Sequence, residues 1–136
     1  MTTPAADAHW TLAPQTASIR EARDRVGALL SGEARREDVE LVASELVTNA
    51  IEHGTGMVDV AVALSAASVR LVVTSGAGAD EPHVKAASHD DDGGRGLAIL
   101  AALTTRWGWD REGDRLSVWA QFDRPEAGTY AQVAHD

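Results

Sequence analysis

The spacing of apolar residues changes from a helical to a strand period partway along this chain, and that change limits the folds open to it. Ile19, Ala22, Val26 and Leu29 recur at steps of three and four, and so do Val39, Ala43, Leu46 and Ala50. From Val58 to Leu64 the apolar residues instead alternate with Asp59, Ala61 and Ala63, and the same two-residue period returns at Val69, Leu71 and Val73 beyond the turn "SAAS". The first pattern predicts two consecutive amphipathic helices and the second a hairpin. Leu97, Leu100, Ala101 and Thr104 then predict a third helix, and Leu116, Val118, Ala120 and Phe122 a last strand. "RWGWD", Arg106 to Asp110, is expected beside that strand as its antiparallel neighbour, and "HWTLAP", His9 to Pro14, as a first strand ended by proline. The order is β, α, α, β, β, long loop, α, β, β. Because helices and strands are partly segregated, it predicts an α+β two-layer sandwich. Its sheet is mixed, largely antiparallel, with three helices on one face, rather than a doubly wound parallel sheet.

Local signals set the expected boundaries. "SIRE", Ser18 to Glu21, has the form of a capping box for the first helix, which should stop near Gly32. The second helix is expected from Glu37 to His53, with Gly54 as its C-terminal stop. "SGAGADEPHVKAASHDDDGGRG", Ser75 to Gly96, carries no sustained period, and a loop of that length is expected to be a lid or disordered. One domain over residues 9–123 is expected, between a flexible N terminus at 1–8 and a mobile tail at 124–136.

Composition narrows the function classes. A chain of 136 residues, 44% hydrophobic, suffices for one core without covalent staples, and the absence of cysteine excludes disulfides and thiolate metal sites. The net charge of −9 disfavours attraction to a nucleic-acid backbone. No run of about 18 apolar residues offers a membrane span. The opening "MTTPAADAHW" has no secretory pattern, so a cytoplasmic protein is expected.

Three stretches carry candidate chemistry. In "SELVTNAIEHG", Ser44 to Gly54, Glu45, Asn49 and Glu52 share one helical stripe opposite Val39, Ala43 and Leu46, with His53 beside Asn49. Alone, such a stripe is an ordinary solvated face. "GGRGLAIL", Gly93 to Leu100, runs glycines into a helix, where unpaired backbone N–H groups and the positive helix end suit a phosphate. Gly76 and Gly78 stand at a strand exit, where the missing Cβ would let a flat ring approach the backbone.

Taken together, "ELVTNAIEHG", "VVTSGAGADEP" and "GGRGLAIL" resemble, in order, the three boxes of the Bergerat-type ATP-binding fold shared by histidine kinases, gyrase and a heat-shock chaperone. The likeness is specifically to its small one-domain branch, the bacterial anti-sigma-factor serine kinases of actinomycete type, and it extends over Trp10 to Phe122, including the closing "TTRWGWDREGDRLSVWAQF". The resemblance implies ATP and Mg²⁺ as cofactors, with Asn49 as the metal ligand and Glu45 as general base toward a serine hydroxyl on a partner. His53 matches a helix-end position near the nucleotide, or else is a helix-terminal residue satisfied by backbone carbonyls; Glu52 is expected to be solvated or weakly ion-paired. Gly94, Arg95, Gly96 and Leu97 match the segment that closes over the phosphates, with Arg95 and Lys85 as its positive charges. The family's adenine-reading aspartate is missing. Ser75 stands in its place by the strand end, Thr74 by the Gly-x-Gly spacing; Ser75 is preferred, and Ser117 matches the threonine that supports that aspartate. Asp90 to Asp92 read as a solvated loop tip. The implied partners are an RNA polymerase sigma factor and an anti-sigma-factor antagonist, with a homodimer as a further expectation. Two readings stay open: a protein serine kinase, and a non-catalytic binding module of the same fold.

Overall fold

A computed structural model describes residues 7–77 and 92–124, with 92–97 described by backbone alone. Its elements follow the expected order: β1 (Ala8–Leu12), α1 (Ala17–Leu29), α2 (Arg36–His53), β2 (Thr55–Leu64), β3 (Ser68–Gly76), α3 (Asp92–Leu103), β4 (Arg106–Glu112) and β5 (Arg115–Asp123). Gly78, Lys85, Asp90 and Asp91 fall outside the described residues, as do residues 1–6 and 125–136.

The five strands form one sheet in the order β1-β2-β3-β5-β4, and every pairing is antiparallel, with no parallel component among the described residues. β2 and β3 make the expected hairpin, closed by the Ser65 N–H donating to Ser68 O at 2.9 Å. β5 then inserts next to β3 and leaves β4 at the edge. The two ends expected to be loose are tied where they are described. Asp7 donates its N–H to Val62 O at 2.7 Å, and Arg124 donates to Ala67 O at 2.8 Å while its guanidinium meets Glu33 at 2.8 Å.

Strand alternation divides the sheet. Leu12, Val58, Val60, Val62, Val69, Leu71, Val73, Val118, Ala120 and Phe122 are buried on one face, and α2 packs on β2, β3 and β5 there while also contacting α1 and α3. Burying each large apolar side chain contributes roughly 1.5–3 kcal/mol, so this face supplies most of the driving force. Because α2 is covered on both flanks, its buried stripe is wider than the period suggested. Val42 and Val47 join Val39, Ala43 and Leu46 in it.

One local expectation is overturned and another is met. Ser18 does not cap α1: the helix begins at Ala17, and Ser18 lies on the buried face with Ala22 and Val26, one and two turns on, only 2% exposed. Gly54 ends α2 as expected, and its φ of −98° and ψ of −172° are extended and carry the chain directly into β2. Glycine is needed there for space. A Cβ on Gly54 would stand 2.6 Å from Ala50 O and 2.5 Å from Ser75 Oγ.

At its other end α2 is fixed by Arg35. That guanidinium donates to the Asp38 carboxylate at 3.0 Å and to the Leu103 carbonyl at the end of α3, and lies 5.4 Å from the Phe122 ring centre. None of the described helices is long and apolar enough to cross a membrane.

Candidate functional site

The C-terminal half of α2 stands over the ends of β3 and β5 and borders an open cleft. Leu46, Asn49, Ala50 and His53 face it from α2, a spacing of three, four and seven that marks one helical stripe. Val73, Ser75 and Gly76 supply the floor from β3, with Ala77 just past its end, and Leu116 and Val118 from β5, with Gly54 at the junction. β2 is irregular beside this junction: Thr55 pairs with Gly76 and Asp59 with Thr74, so three residues of β2 oppose the single residue Ser75. Gly56, at φ +72°, lies in that bulge and takes a conformation that other residues adopt at a cost.

The cleft is mostly apolar, and two polar side chains reach it from the middle of its walls. Asn49 is half-buried and Ser75 only 4% exposed, yet neither side chain hydrogen-bonds to the protein among the described residues. No buried side-chain polar atom lacks a hydrogen bond among the described residues, so these two groups are open to the cleft and available to an external ligand. No cluster of three or more His, Asp or Glu that could hold a metal occurs among the described residues. A single amide oxygen is the donor set expected for Mg²⁺ that arrives with a polyphosphate and retains water ligands. Asn49 fits that group; a metal held by protein alone would not find its ligands here.

Several sequence expectations meet at this cleft. Asn49 and His53 both line it, and Leu46 shares their side of α2 rather than lying opposite. Glu45 sits about 6 Å earlier along the helix axis, half-buried and outside the lining, with no ion-pair partner among the described residues. Glu52 is solvated as expected, its side chain 57% exposed and 4.0 Å from His53 Nε2.

Register separates the two strand candidates by face. Ser75 pairs with Leu116 on the cleft side, whereas Thr74 pairs with Ser117 on the opposite face, where their hydroxyls share a 2.7 Å hydrogen bond. Ser117 therefore does not line the site, and neither does Thr74; Leu116 occupies the position expected of Ser117. Gly76 lines the cleft through its backbone, but its missing Cβ serves a different end from the one expected. The space is taken by Thr55, whose Oγ1 would lie 2.3 Å from an added Cβ, so the glycine admits a neighbouring strand rather than a ring.

Gly94, Arg95, Gly96 and Leu97 lie within the first turns of α3, which begins at Asp92, before the glycines rather than after them. Each helical glycine costs about 1 kcal/mol relative to alanine, and the packing of α3 on α2 and β4 offsets this. The sequence reading missed Leu46, Ala50, Val73, Ala77, Leu116 and Val118 as lining residues. Val73 and Val118 were visible only as core positions, because the pairing that makes them neighbours joins distant parts of the chain.

Similar solved structures share this architecture. The RsbU and RsbW domains of Rv1364c from Mycobacterium tuberculosis align over 88% of this chain and 33% of that one, at 23% identity and a TM-score of 0.66. This chain thus spans about a third of that protein's length. A chain of the SiaB–SiaC complex from Pseudomonas aeruginosa aligns over 87% of this chain and 90% of its own, at 14% identity and a TM-score of 0.60. The histidine kinase domain of the blue-light activated kinase from Erythrobacter litoralis EL346 aligns over 88% and 64%, at 15% identity and a TM-score of 0.51. No curated protein matches significantly. At these identities the likeness is one of fold. Residues 12–122, from the last residue of β1 to the core Phe122 of β5, match the histidine kinase-like ATPase domain, and the chain belongs to that nucleotide-binding family.

Proposed function

We propose that the protein is an ATP-binding anti-sigma factor that phosphorylates a serine of an anti-sigma-factor antagonist in the cytoplasm. The observation that carries this reading is Asn49, an unpaired amide facing an apolar cleft, with the unpartnered carboxylate of Glu45 one turn before it. Magnesium-ATP, when bound, supplies the γ-phosphoryl group and offsets the charge that its transfer redistributes. Asn49 would hold the metal through its side-chain oxygen, and the apolar floor of Val73, Leu116 and Val118 would seat the base with Ser75 at its polar edge. Glu45 would orient the partner's serine hydroxyl and accept its proton. His53, at the helix end, would line the nucleotide, and Gly94, Arg95, Gly96 and Leu97 would close over the phosphates. Binding of a sigma factor and of the unphosphorylated antagonist would compete, so phosphorylation would shift which partner is held. The SiaB–SiaC structure is that of a two-protein complex, in keeping with a fold used for partner binding. A homodimer belongs to the same reading.

Purified protein incubated with Mg²⁺, γ-labelled ATP and the antagonist should label the antagonist on serine. Absence of label, under conditions where a related kinase labels its own antagonist, rejects the kinase assignment. One observation favours a second reading, a binding module with weakened or lost ATP use: the base end of the cleft offers a hydroxyl where the family resemblance calls for a carboxylate. Isothermal titration separates the two. Micromolar Mg-dependent binding that Asn49→Ala abolishes supports the first, and no heat at millimolar nucleotide supports the second.

A further inference from the structure

We infer that the cleft does not select adenine: Ser75 reads the six-position of either purine, and the protein takes ATP and GTP with comparable affinity. This rests on the nucleotide-cleft reading above and sharpens its ligand class. Ser75 is the buried polar side chain on the cleft floor, 4% exposed, among Val73, Leu116 and Val118. Its place is fixed by register against Leu116 and by the close approach of Gly54, whose added Cβ would meet the hydroxyl at 2.5 Å. The hydroxyl has no partner among the described residues, so its hydrogen is not committed in either direction.

The chemistry of the group then decides what it admits. An ionised carboxylate only accepts hydrogen bonds; it would take one from the amino group of adenine and repel the carbonyl oxygen of guanine. A hydroxyl has one donor and two acceptor sites and rotates to suit. It accepts from the adenine amino group in one rotamer and donates to the guanine carbonyl in another. None of the described lining residues carries a carboxylate: Leu46, Ala50, Gly54, Val73, Gly76, Ala77, Leu116 and Val118 are apolar or glycine, and the polar remainder is Asn49, His53 and Ser75. Nothing in that set rejects guanine by charge. A pyrimidine presents a smaller ring to the same apolar floor and buries less of it.

Titration of the full chain with Mg-ATP, Mg-GTP and Mg-CTP tests this directly. The two purines should bind within about 5-fold of each other, and CTP about 10-fold or more weaker. Ser75→Asp should restore selectivity, weakening GTP by about 30-fold relative to ATP, whereas Ser75→Ala should weaken both purines alike. A wild-type protein that binds ATP and disfavours GTP by more than about 30-fold overturns the inference while leaving the cleft reading intact. So does a Ser75→Asp protein, folded by circular dichroism, whose ATP-to-GTP ratio is that of wild type. If that variant does not fold, Ser75→Ala decides: loss confined to ATP overturns the inference, and equal loss supports it. Failure of every nucleotide to bind the wild type overturns the cleft reading and this inference with it.

Discussion

The two faces of the sheet handle polar side chains in opposite ways. On the open face, where water can satisfy any of them, they are paired with one another. Asp59 accepts from Thr11 at 2.8 Å and from Arg115 at 2.7 Å, the Thr74 and Ser117 hydroxyls hydrogen-bond at 2.7 Å, and the Arg70 guanidinium lies 4.3 Å over the Trp119 ring. That indole in turn fills the space above Gly108, where an added Cβ would come within 2.7 Å of its edge. On the helix-covered face, Asn49 and Ser75 have no protein partner among the described residues and instead turn to the open cleft. Their hydrogen-bonding capacity is left for solvent or for a ligand.

The contrast can be broken most sharply with neighbouring residues of β3. Leu71→Ala should lose about 2–5 kcal/mol in urea unfolding, while Val72→Ala, one residue on and on the open face, should lose less than about 1 kcal/mol. Equal losses would mean that the open face is covered in solution. Asn49→Ala should reverse the pattern, weakening Mg-nucleotide binding by about 30-fold or more, roughly 2 kcal/mol, with unfolding free energy changed by only about 0.5 kcal/mol. A large stability loss would show that the amide is structural. Ser117→Ala should cost about 1 kcal/mol of stability by orphaning Thr74 and leave nucleotide affinity within about 2-fold of wild type. A larger affinity loss would restore Ser117 to the site. Asp59→Asn, on the exposed side, should change stability by only about 0–1 kcal/mol, and less at high salt. A greater, salt-independent loss would show that the Thr11–Asp59–Arg115 cluster is a fastening for β1.

How much of this was legible from sequence depends on the range of the interaction. Element order followed from local period, and the Asn49 stripe from helical spacing, since both are set by residues within a few turns. Strand neighbours were not legible, because Ser75 meets Leu116 only after α3 and β4 have been laid down between them. The Ser117 assignment failed by one position, and in a strand one position is a change of face. The start of α3 was misplaced because glycine propensity is a weak local signal that packing overrides. The roles of Gly54 and Gly76 were missed for the same reason: the atoms that exclude a Cβ there belong in part to other elements.

The single-residue passage from α2 into β2 has a mechanical consequence. With only Gly54 between helix and strand, the Asn49 wall is bolted to the floor and cannot swing away from Ser75 without unzipping the Thr55 to Gly76 pairing. The far end of α2 is held to Leu103 by Arg35. Whatever the cleft admits must therefore suit an amide and a hydroxyl kept at a fixed gauge.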